Sequence, residues 1–346
     1  MQAFQLVVLL SVFVRCCLCN GTLSLFGDYH REHLPVQLSL NESQEDGNLL
    51  LPFNTTRVSG SPEALGIQQF ILDHFTTGLQ NNWTVEQDNF QENGYNFTNL
   101  VFTLDTARSD ANKNGTKYIL FAAHYDTLVN PAGFIGAVDS AASCAILMYL
   151  AQFLDTLAYE DRELLQQTIL GGEYGVKIVF FDGEEAIEEW TATDSIYGSR
   201  HLAAQWLEDG TMEQIELFVL LDLLGGATTK QVPRWKIKSY YKEAHRHYQQ
   251  LSKIEDAYLA DPATPFSKKE LFPSDVLYMM MGRVLIEDDH VPFYNASVPI
   301  LHLIPFPFPE TWHTIGDTFD TLDEAEIQRW AVLLSEFAVD TMAGPQ

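Results

Sequence analysis

Short apolar runs of strand length alternate with longer helical patterns over most of the chain. The apolar runs occupy residues 118–123, 176–181, 218–221 and 298–304, and the helical patterns occupy 140–157, 240–258 and 324–342. Nearer the N-terminus, Pro62 opens a helical pattern that extends to Phe75, and two strands are predicted around 83–90 and 97–104. Continuously apolar strands separated by helices are typical of a parallel sheet covered on both faces. The pattern therefore predicts a single α/β domain with an open, mostly parallel central sheet and helices on both faces.

Residues 1–19 have features of a signal peptide. The apolar run over 6–14 has the length of a signal-peptide core and is too short to span a bilayer. Small residues at Cys17 and Cys19 suit cleavage before Asn20, whereas Arg15 leaves a buried structural helix as the alternative. Residues 20–60 are polar and poor in periodicity, so we expect an extended leader there and the folded domain over 61–346.

Acceptor sequons for N-glycosylation favour the signal-peptide interpretation. Seven sequons begin at Asn20, Asn41, Asn54, Asn82, Asn96, Asn114 and Asn295. Chance would give about two, because the pattern needs only Asn with Ser or Thr two residues later. We therefore expect a secreted glycoprotein. Removal of the signal would leave Cys144 as the only cysteine, so no internal disulfide is expected.

The charge of the chain limits its partners. Acidic residues outnumber basic ones 47 to 20 in the 346 residues, which gives a formal net charge of −27. A surface this negative repels phosphate backbones and anionic lipids. We therefore expect no nucleic-acid binding and no stable membrane association.

Carboxylates and imidazoles follow each of the apolar runs. They are His124 and Asp126, then Asp182, Glu184 and Glu185, then Asp222, and finally His313 after a proline-rich loop. One such residue alone is usually a loop residue or a helix cap. Open α/β sheets place their sites beyond the carboxyl ends of the strands, so together these residues predict a site.

Asp139 adds a further carboxylate, before the helical pattern that starts at Ser140, where it could also serve as an N-cap. Asp, Glu and His side chains suit zinc, and three of them leave a coordination position open for substrate. Adjacent Glu184 and Glu185 point in different directions, so one can bind metal while the other transfers protons. The chain contains no H-E-x-x-H, G-x-S-x-G, G-x-x-x-x-G-K or G-x-G-x-x-G motif.

Four segments resemble the glutaminyl-peptide cyclotransferases (glutaminyl cyclases), which are related in fold to zinc aminopeptidases. They are GAVDSAASCAILMYLAQFL from Gly136, VFFDGEEAIEEWTATDSIYGSRHLA from Val179, LFVLLDLLGGA from Leu217 and EDDHVPFYNASVPILHLIPFPFPETWHT from Glu287. The resemblance extends from about residue 60 to the C-terminus. It implies that 61–346 is a zinc-dependent catalytic domain that converts the N-terminal glutamine of peptides and proteins to pyroglutamate and releases ammonia. We expect N-terminal glutamate as an alternative substrate, and we expect a monomer.

The same resemblance implies a role for each site residue. One zinc per chain would be bound by Asp139, Glu185 and His313, and Glu184 would be the general acid and base. Asp222 and Asp288 would form a carboxylate network beside Glu184 and raise its pKa. The substrate pocket would be formed by Trp190, Phe308 and Trp312 with His302 nearby, although the context of His302 is also typical of a hydrogen-bonded core histidine.

Two positions depart from the family pattern. Secreted vertebrate-type members carry a cysteine pair, but Ala123 occupies the first position here, so Cys144 lacks its partner. Glu287 precedes the Asp288-Asp289-His290 segment, at a position where glutamine occurs in some other members.

Two alternatives remain open at this point. A two-zinc aminopeptidase would use His124 and Asp222 for a second metal, with Asp139 as the bridge, and all three residues are present. Against it, Ser-Ala-Ala-Ser follows Asp139, where those peptidases have an Asn-Ala-Ser-Gly-like turn. The other alternative is a non-catalytic binding domain, which the loss of a metal ligand or of Glu184 would favour, and neither is lost.

Overall fold

Eight strands and seven helices make up the part of the chain that the computed structural model describes: residues 23–43, 45–80, 83–105, 115–160, 174–227, 236–260, 270–273 and 286–343. The strands are β1 (Trp83–Glu92), β2 (Tyr95–Leu104), β3 (Lys117–His124), β4 (Tyr174–Phe181), β5 (Ile215–Leu221), β6 (Lys236–Ile237), β7 (Ile300–Leu303) and β8 (Pro305–Phe306). The helices are α1 (Leu23–Gln37), α2 (Pro62–Asp73), α3 (Ala142–Glu160), α4 (Tyr197–Asp209), α5 (His245–Ala260), α6 (Val291–Asn295) and α7 (Glu324–Met342).

The central sheet has six strands in the order β1-β2-β4-β3-β5-β7. Strands β4, β3, β5 and β7 are parallel, whereas β1 and β2 form an antiparallel hairpin that joins the sheet beside β4. The hairpin turns at Asn93 and Gly94, which both have positive φ as a two-residue turn requires. The parallel strands bring their carboxyl ends to one edge of the sheet.

Helices cover both faces of the sheet, because successive residues of a strand point in opposite directions. Ile119 and Phe121 of β3 pack in the larger core with α3, α5 and α7. Leu120 and Ala122 pack on the other face with α4 and with Phe293 of α6. The predicted α/β fold with a mostly parallel sheet is confirmed.

The most apolar helix belongs to this core. Within the described ranges, Ala137–Ala158 is the one stretch apolar and long enough to cross a membrane, and 94% of its most apolar window is buried inside the fold. Cys144 on α3 is buried with a free thiol, which donates to the backbone oxygen of His124 at 3.1 Å.

The prediction of an extended leader over 20–60 is wrong for the described part of that range. Helix α1 occupies Leu23–Gln37, and Leu34, Leu38, Leu50 and Phe53 are buried in the larger core. The exposed charged residues of α1 mask the few apolar positions that anchor it, so its periodicity is weak. The predicted signal peptide, residues 1–19, lies outside the described residues.

A buried ion pair ties α7 to α5. Glu255 of α5 is fully buried and contacts the guanidinium of Arg329 in α7. The same carboxylate accepts hydrogen bonds from the backbone amides of Leu271 and Phe272, at 2.7 Å each. One side chain therefore fixes two helices and a loop.

We predict that Glu255→Ala lowers the free energy of unfolding by about 3–5 kcal/mol, because it removes the closer of the two carboxylates that pair with the buried Arg329 guanidinium and leaves only Glu326, at 3.7 Å. Urea denaturation followed by circular dichroism measures the change. Glu216→Ala is the matched control, because Glu216 pairs with the exposed Arg246 at 3.5 Å, and such pairs contribute about 0–1 kcal/mol. Equal losses in the two variants would contradict the prediction.

Candidate active site

The carboxyl ends of the parallel strands bring the predicted residues together. β3 ends at His124, β4 leads through Gly183 to Glu184, and β5 leads directly to Asp222. Asp182 is the exception, because its carboxylate turns towards the hairpin and accepts from the Thr98 amide at 2.8 Å and the Ser59 hydroxyl at 2.7 Å.

Asp139, Glu185 and His313 form one cluster, which we call the metal cradle. His313 Nε2 lies 3.5 Å from Asp139 Oδ2 and 3.5 Å from Glu185 Oε2. One ligand atom from each residue lies within 4.8 Å of the others. Both carboxylates are buried, whereas 32% of the His313 side chain is exposed. The cradle is therefore buried at its two carboxylates and open to solvent at the His313 imidazole.

The cradle fits a metal cation. Asp139 Oδ2 and both carboxylate oxygens of Glu185 are buried without a hydrogen-bond partner. Burial raises the pKa of Glu185 well above its usual range, and the Asp139 carboxylate raises it further. A buried carboxylate without a partner is costly, and a cation in the cradle would remove that cost. Two carboxylates and an imidazole are a donor set that suits zinc.

Two further carboxylates, those of Asp317 and Asp126, bind the backbone amides of the cradle segments. The Asp317 carboxylate accepts from the amides of Val138 at 2.9 Å and Asp139 at 3.2 Å. The Asp126 carboxylate accepts from the amides of Glu184 at 3.1 Å and Glu185 at 3.2 Å. These carboxylates fix the turns from which the candidate ligands project, and sequence reasoning assigned neither this role.

Gly136 is required where the chain turns towards Asp139. Its φ is +58°, and a Cβ there would lie 2.1 Å from the backbone oxygen of Asp139. Asp139 itself has φ −116° and ψ 76°, so it lies before the regular helix rather than within it. No side chain larger than hydrogen fits at this turn.

His124 contacts the oxygen of Asp139 that does not face His313. Its Nε2 is 3.0 Å from Asp139 Oδ1 and 3.6 Å from Asp222 Oδ1. Burial alone would lower the pKa of His124, but the carboxylates of Asp126, Asp139 and Asp222 outweigh it and raise that pKa well above its usual range. His124, Asp139 and Asp222 also meet the spacing of a metal site, so the alternative of a second metal has a location.

Glu184 is buried beside the cradle. Burial raises the pKa of Glu184 well above its usual range; His124 opposes the shift, while Glu185 and Asp288 add to it. The family resemblance likewise implies a raised pKa for Glu184. Asp289, whose oxygens are buried without partners, contributes as well; it stands in the Asp288-Asp289-His290 segment that is part of the family resemblance, but the sequence analysis assigned it no role.

Asp222 accepts a hydrogen bond from a hydroxyl, whereas Asp288 pairs with an imidazole. The Ser140 hydroxyl donates to Asp222 Oδ1 at 2.6 Å. His302 Nε2 lies 2.7 Å from Asp288 Oδ2, and burial followed by the charge of Asp222 raises the pKa of Asp288. His302 is buried behind Asp288, in the position of a hydrogen-bonded core histidine.

Two aromatic residues lie next to the exposed imidazole of the cradle, and a third lies near Glu287. Trp312 stacks on His313 with ring centroids 4.0 Å apart, and Phe308 meets Trp312 edge-on at 5.0 Å. Trp312 is 40% exposed, so its face is available to a ligand. The indole of Trp190 donates to Glu287 Oε2 at 3.0 Å. Glu287 therefore anchors a predicted pocket residue to the segment that carries Asp288.

The chain is similar to known proteins over most of its length. Residues 99–338 match the family model of peptidase family M28. An uncharacterized protein of Saccharomyces cerevisiae is 46% identical over 337 residues, which cover 92% of this chain and 90% of the relative. The glutaminyl-peptide cyclotransferase of Drosophila melanogaster is 32% identical over 323 residues, which cover 89% of this chain and 82% of the relative. The crystal structure of Macrostomum lignano glutaminyl cyclase has a TM-score of 0.66 at 28% identity and covers 90% of this chain and 92% of that one.

The fold, the acidic cluster and the family match define a metal-binding α/β enzyme of the M28 class. Because relatives that match over most of their length are glutaminyl-peptide cyclotransferases, the chain belongs to the glutaminyl-peptide cyclotransferase family. The resemblance drawn from the sequence is confirmed.

We predict that the purified protein contains one zinc per chain and that His313→Ala loses it, because the variant removes one of three ligands. Metal analysis after gel filtration measures the content. His124→Ala is the discriminating control, because a single-zinc site retains its metal in that variant. Two zincs in the native protein, with one lost from His124→Ala, would contradict the prediction and favour the aminopeptidase arrangement.

Proposed function

We propose that this protein is a zinc-dependent glutaminyl-peptide cyclotransferase, which converts the N-terminal glutamine of peptides and proteins to pyroglutamate and releases ammonia. The observation that carries the proposal is the metal cradle, whose unpartnered oxygens lie beside a buried Glu184 and an exposed Trp312. The cradle supplies a cation site, and Glu184 supplies a group that can hold a proton. Trp312 gives the substrate an apolar surface.

Asp139, Glu185 and His313 would hold the zinc ion, which would supply Lewis acidity towards the carbonyl oxygen of the substrate's γ-carboxamide. Glu184 would accept a proton from the α-amine on one of its carboxylate oxygens while the amine nitrogen attacks the γ-carbon. The bond between that carbon and the amide nitrogen then breaks, and Glu184 returns the proton to the departing ammonia. The raised pKa of Glu184 suits a group that must hold and release a proton.

The residues around Glu184 would adjust its pKa so that it can accept and release a proton. Asp222 stays ionised beside His124, because the imidazole outweighs burial and lowers the pKa of Asp222. Asp288, paired with His302, adds negative charge near Glu184 and favours its protonated form. Trp190, Phe308 and Trp312 would orient the glutamine side chain and exclude water.

A metal-dependent aminopeptidase is the second candidate function. The observation that favours it is the group of His124, Asp139 and Asp222, which has the spacing of a second metal site. We propose a single zinc nonetheless, because the Ser140 hydroxyl already occupies Asp222 Oδ1, the oxygen that faces His124. One assay distinguishes the two functions.

We expect the purified protein to release ammonia from a peptide with N-terminal glutamine and to leave its peptide bonds intact. Mass spectrometry of the peptide and a coupled ammonia assay measure this. A chelator should abolish the reaction and zinc should restore it. In Glu184→Gln we expect kcat to fall by about 10²–10⁴-fold, the usual contribution of a general acid–base group, with zinc content unchanged.

Glu208→Gln is the matched control, because Glu208 is exposed on α4, and it should keep full activity. Release of the first amino acid would establish the aminopeptidase instead. If zinc-loaded protein releases neither ammonia nor the first amino acid, the cyclotransferase and the aminopeptidase are both excluded and a binding domain is favoured.

We also propose that residues 1–19 are a signal peptide and that the protein is a secreted, monomeric glycoprotein. Asn41, Asn54, Asn96 and Asn295 support this proposal, because all four sequon asparagines within the described ranges are exposed. Protein expressed in eukaryotic cells should appear in the medium, start at Asn20 and lose mass on enzymatic deglycosylation. Retention inside the cell without glycan would contradict the proposal.

A further inference from the structure

Arg57 is a fully buried guanidinium beneath the metal cradle. It lies between the short 3-10 helix Leu51–Phe53 and helix α2, far in sequence from every candidate ligand. A buried arginine normally pairs with a carboxylate, because an unpaired charge inside a protein is costly. The hydrogen bonds that the structure gives the Arg57 side chain go instead to backbone carbonyl oxygens.

These carbonyls belong to the segments that carry the cradle. Arg57 Nε donates to the oxygen of Tyr125 at 2.7 Å, between His124 and Asp126. Its Nη1 and Nη2 donate to the oxygens of Ile135 at 2.6 Å and Gly136 at 3.1 Å, in the turn that leads to Asp139. The oxygens of Phe53 and Thr55 lie 2.9 Å from the same Nη1 and tie the guanidinium to its own segment; because Nη1 has two hydrogens and three acceptors, one hydrogen is shared.

The backbone of Arg57 reinforces this link. Its amide donates to the Thr127 hydroxyl at 2.8 Å, and its carbonyl accepts from the Thr127 amide at 3.2 Å. The loop after β3 and the turn before Asp139 are thus both fastened to one rigid, planar group. Arginine suits this task because its donors have a fixed geometry.

The charge of Arg57 also matches its surroundings. Burial pulls the pKa of Arg57 down, and nearby groups that include Asp126, Asp317 and Asp139 oppose that shift. The cation is therefore balanced by the carboxylates of the site without touching them. In return it offsets part of the repulsion that those carboxylates exert on one another.

We infer that Arg57 is a positioning residue for the metal site: it holds the loop after β3 and the Gly136 turn together and supplies a buried positive charge to the cradle. This inference rests on the metal-binding part of the proposed function. Groups behind metal ligands typically contribute about 10–100-fold to metal affinity, and we expect an effect of that size here.

The test measures zinc affinity of the full chain by competition with a chromophoric chelator. Arg57→Met removes the charge and the donors at similar length, and we expect its zinc affinity to fall by about 10–100-fold. Arg57→Lys retains the charge but concentrates its donors on one atom, so it should recover part of that affinity. Circular dichroism confirms that each variant is folded at the temperature of the titration.

Arg329→Met is the matched control, because it removes another buried guanidinium, from the pair between α5 and α7. It should lower stability and leave zinc affinity unchanged. Native affinity in Arg57→Met, or an equal loss in Arg329→Met, would overturn the inference. If Arg57→Met does not fold, Arg57→Lys decides: reduced zinc affinity supports the inference, and native affinity overturns it. Failure of the native protein to bind zinc would instead refute the proposed function.

Discussion

The burial of several carboxylates at one edge of the sheet is the constraint on which the site depends. Each buried carboxylate needs a donor or a counter-ion, since an isolated buried charge is costly. Asp126 and Asp317 meet that need with backbone amides, Asp222 with Ser140, and Asp288 with His302. The oxygens of Glu185 and Asp289 remain without partners, and of these two carboxylates Glu185 is the one that lies within ligand distance of Asp139 and His313, so the cation belongs there.

The parallel strands create this concentration of charge, and for that reason it could be predicted from the sequence. Each apolar run ends in a carboxylate or imidazole, and parallel strands bring such ends to the same edge. His124, Glu184 and Asp222 follow from that rule alone. Asp182 obeys the same rule and yet turns away to Thr98, because a strand end fixes where the backbone lies but not which way the side chain points.

Other residues of the site cannot be recognised from the sequence around them. Arg57 and Asp317 act through backbone groups far away in sequence, at Gly136 and Asp139, so neither spacing nor residue type reveals them. Helix α1 escaped prediction for a related reason: its anchoring residues, Leu34 and His30, acquire meaning only against α3 and the rest of the larger core. Assignment of His313 to the cradle likewise needed the family resemblance, since a proline-rich loop separates it from β7.

Asp139 is the residue on which the metal count depends, because its two oxygens face different groups. Oδ2 points to His313 and has no hydrogen-bond partner, whereas Oδ1 lies 3.0 Å from His124 Nε2. A proton on His124 satisfies Oδ1 in the same way that a second metal would, and the three carboxylates around His124 favour that proton. In this protein the choice between one metal and two therefore depends on two groups. One is the charge opposite Asp139 Oδ1, which an imidazolium or a metal ion can carry, and the other is the Ser140 hydroxyl that occupies Asp222 Oδ1.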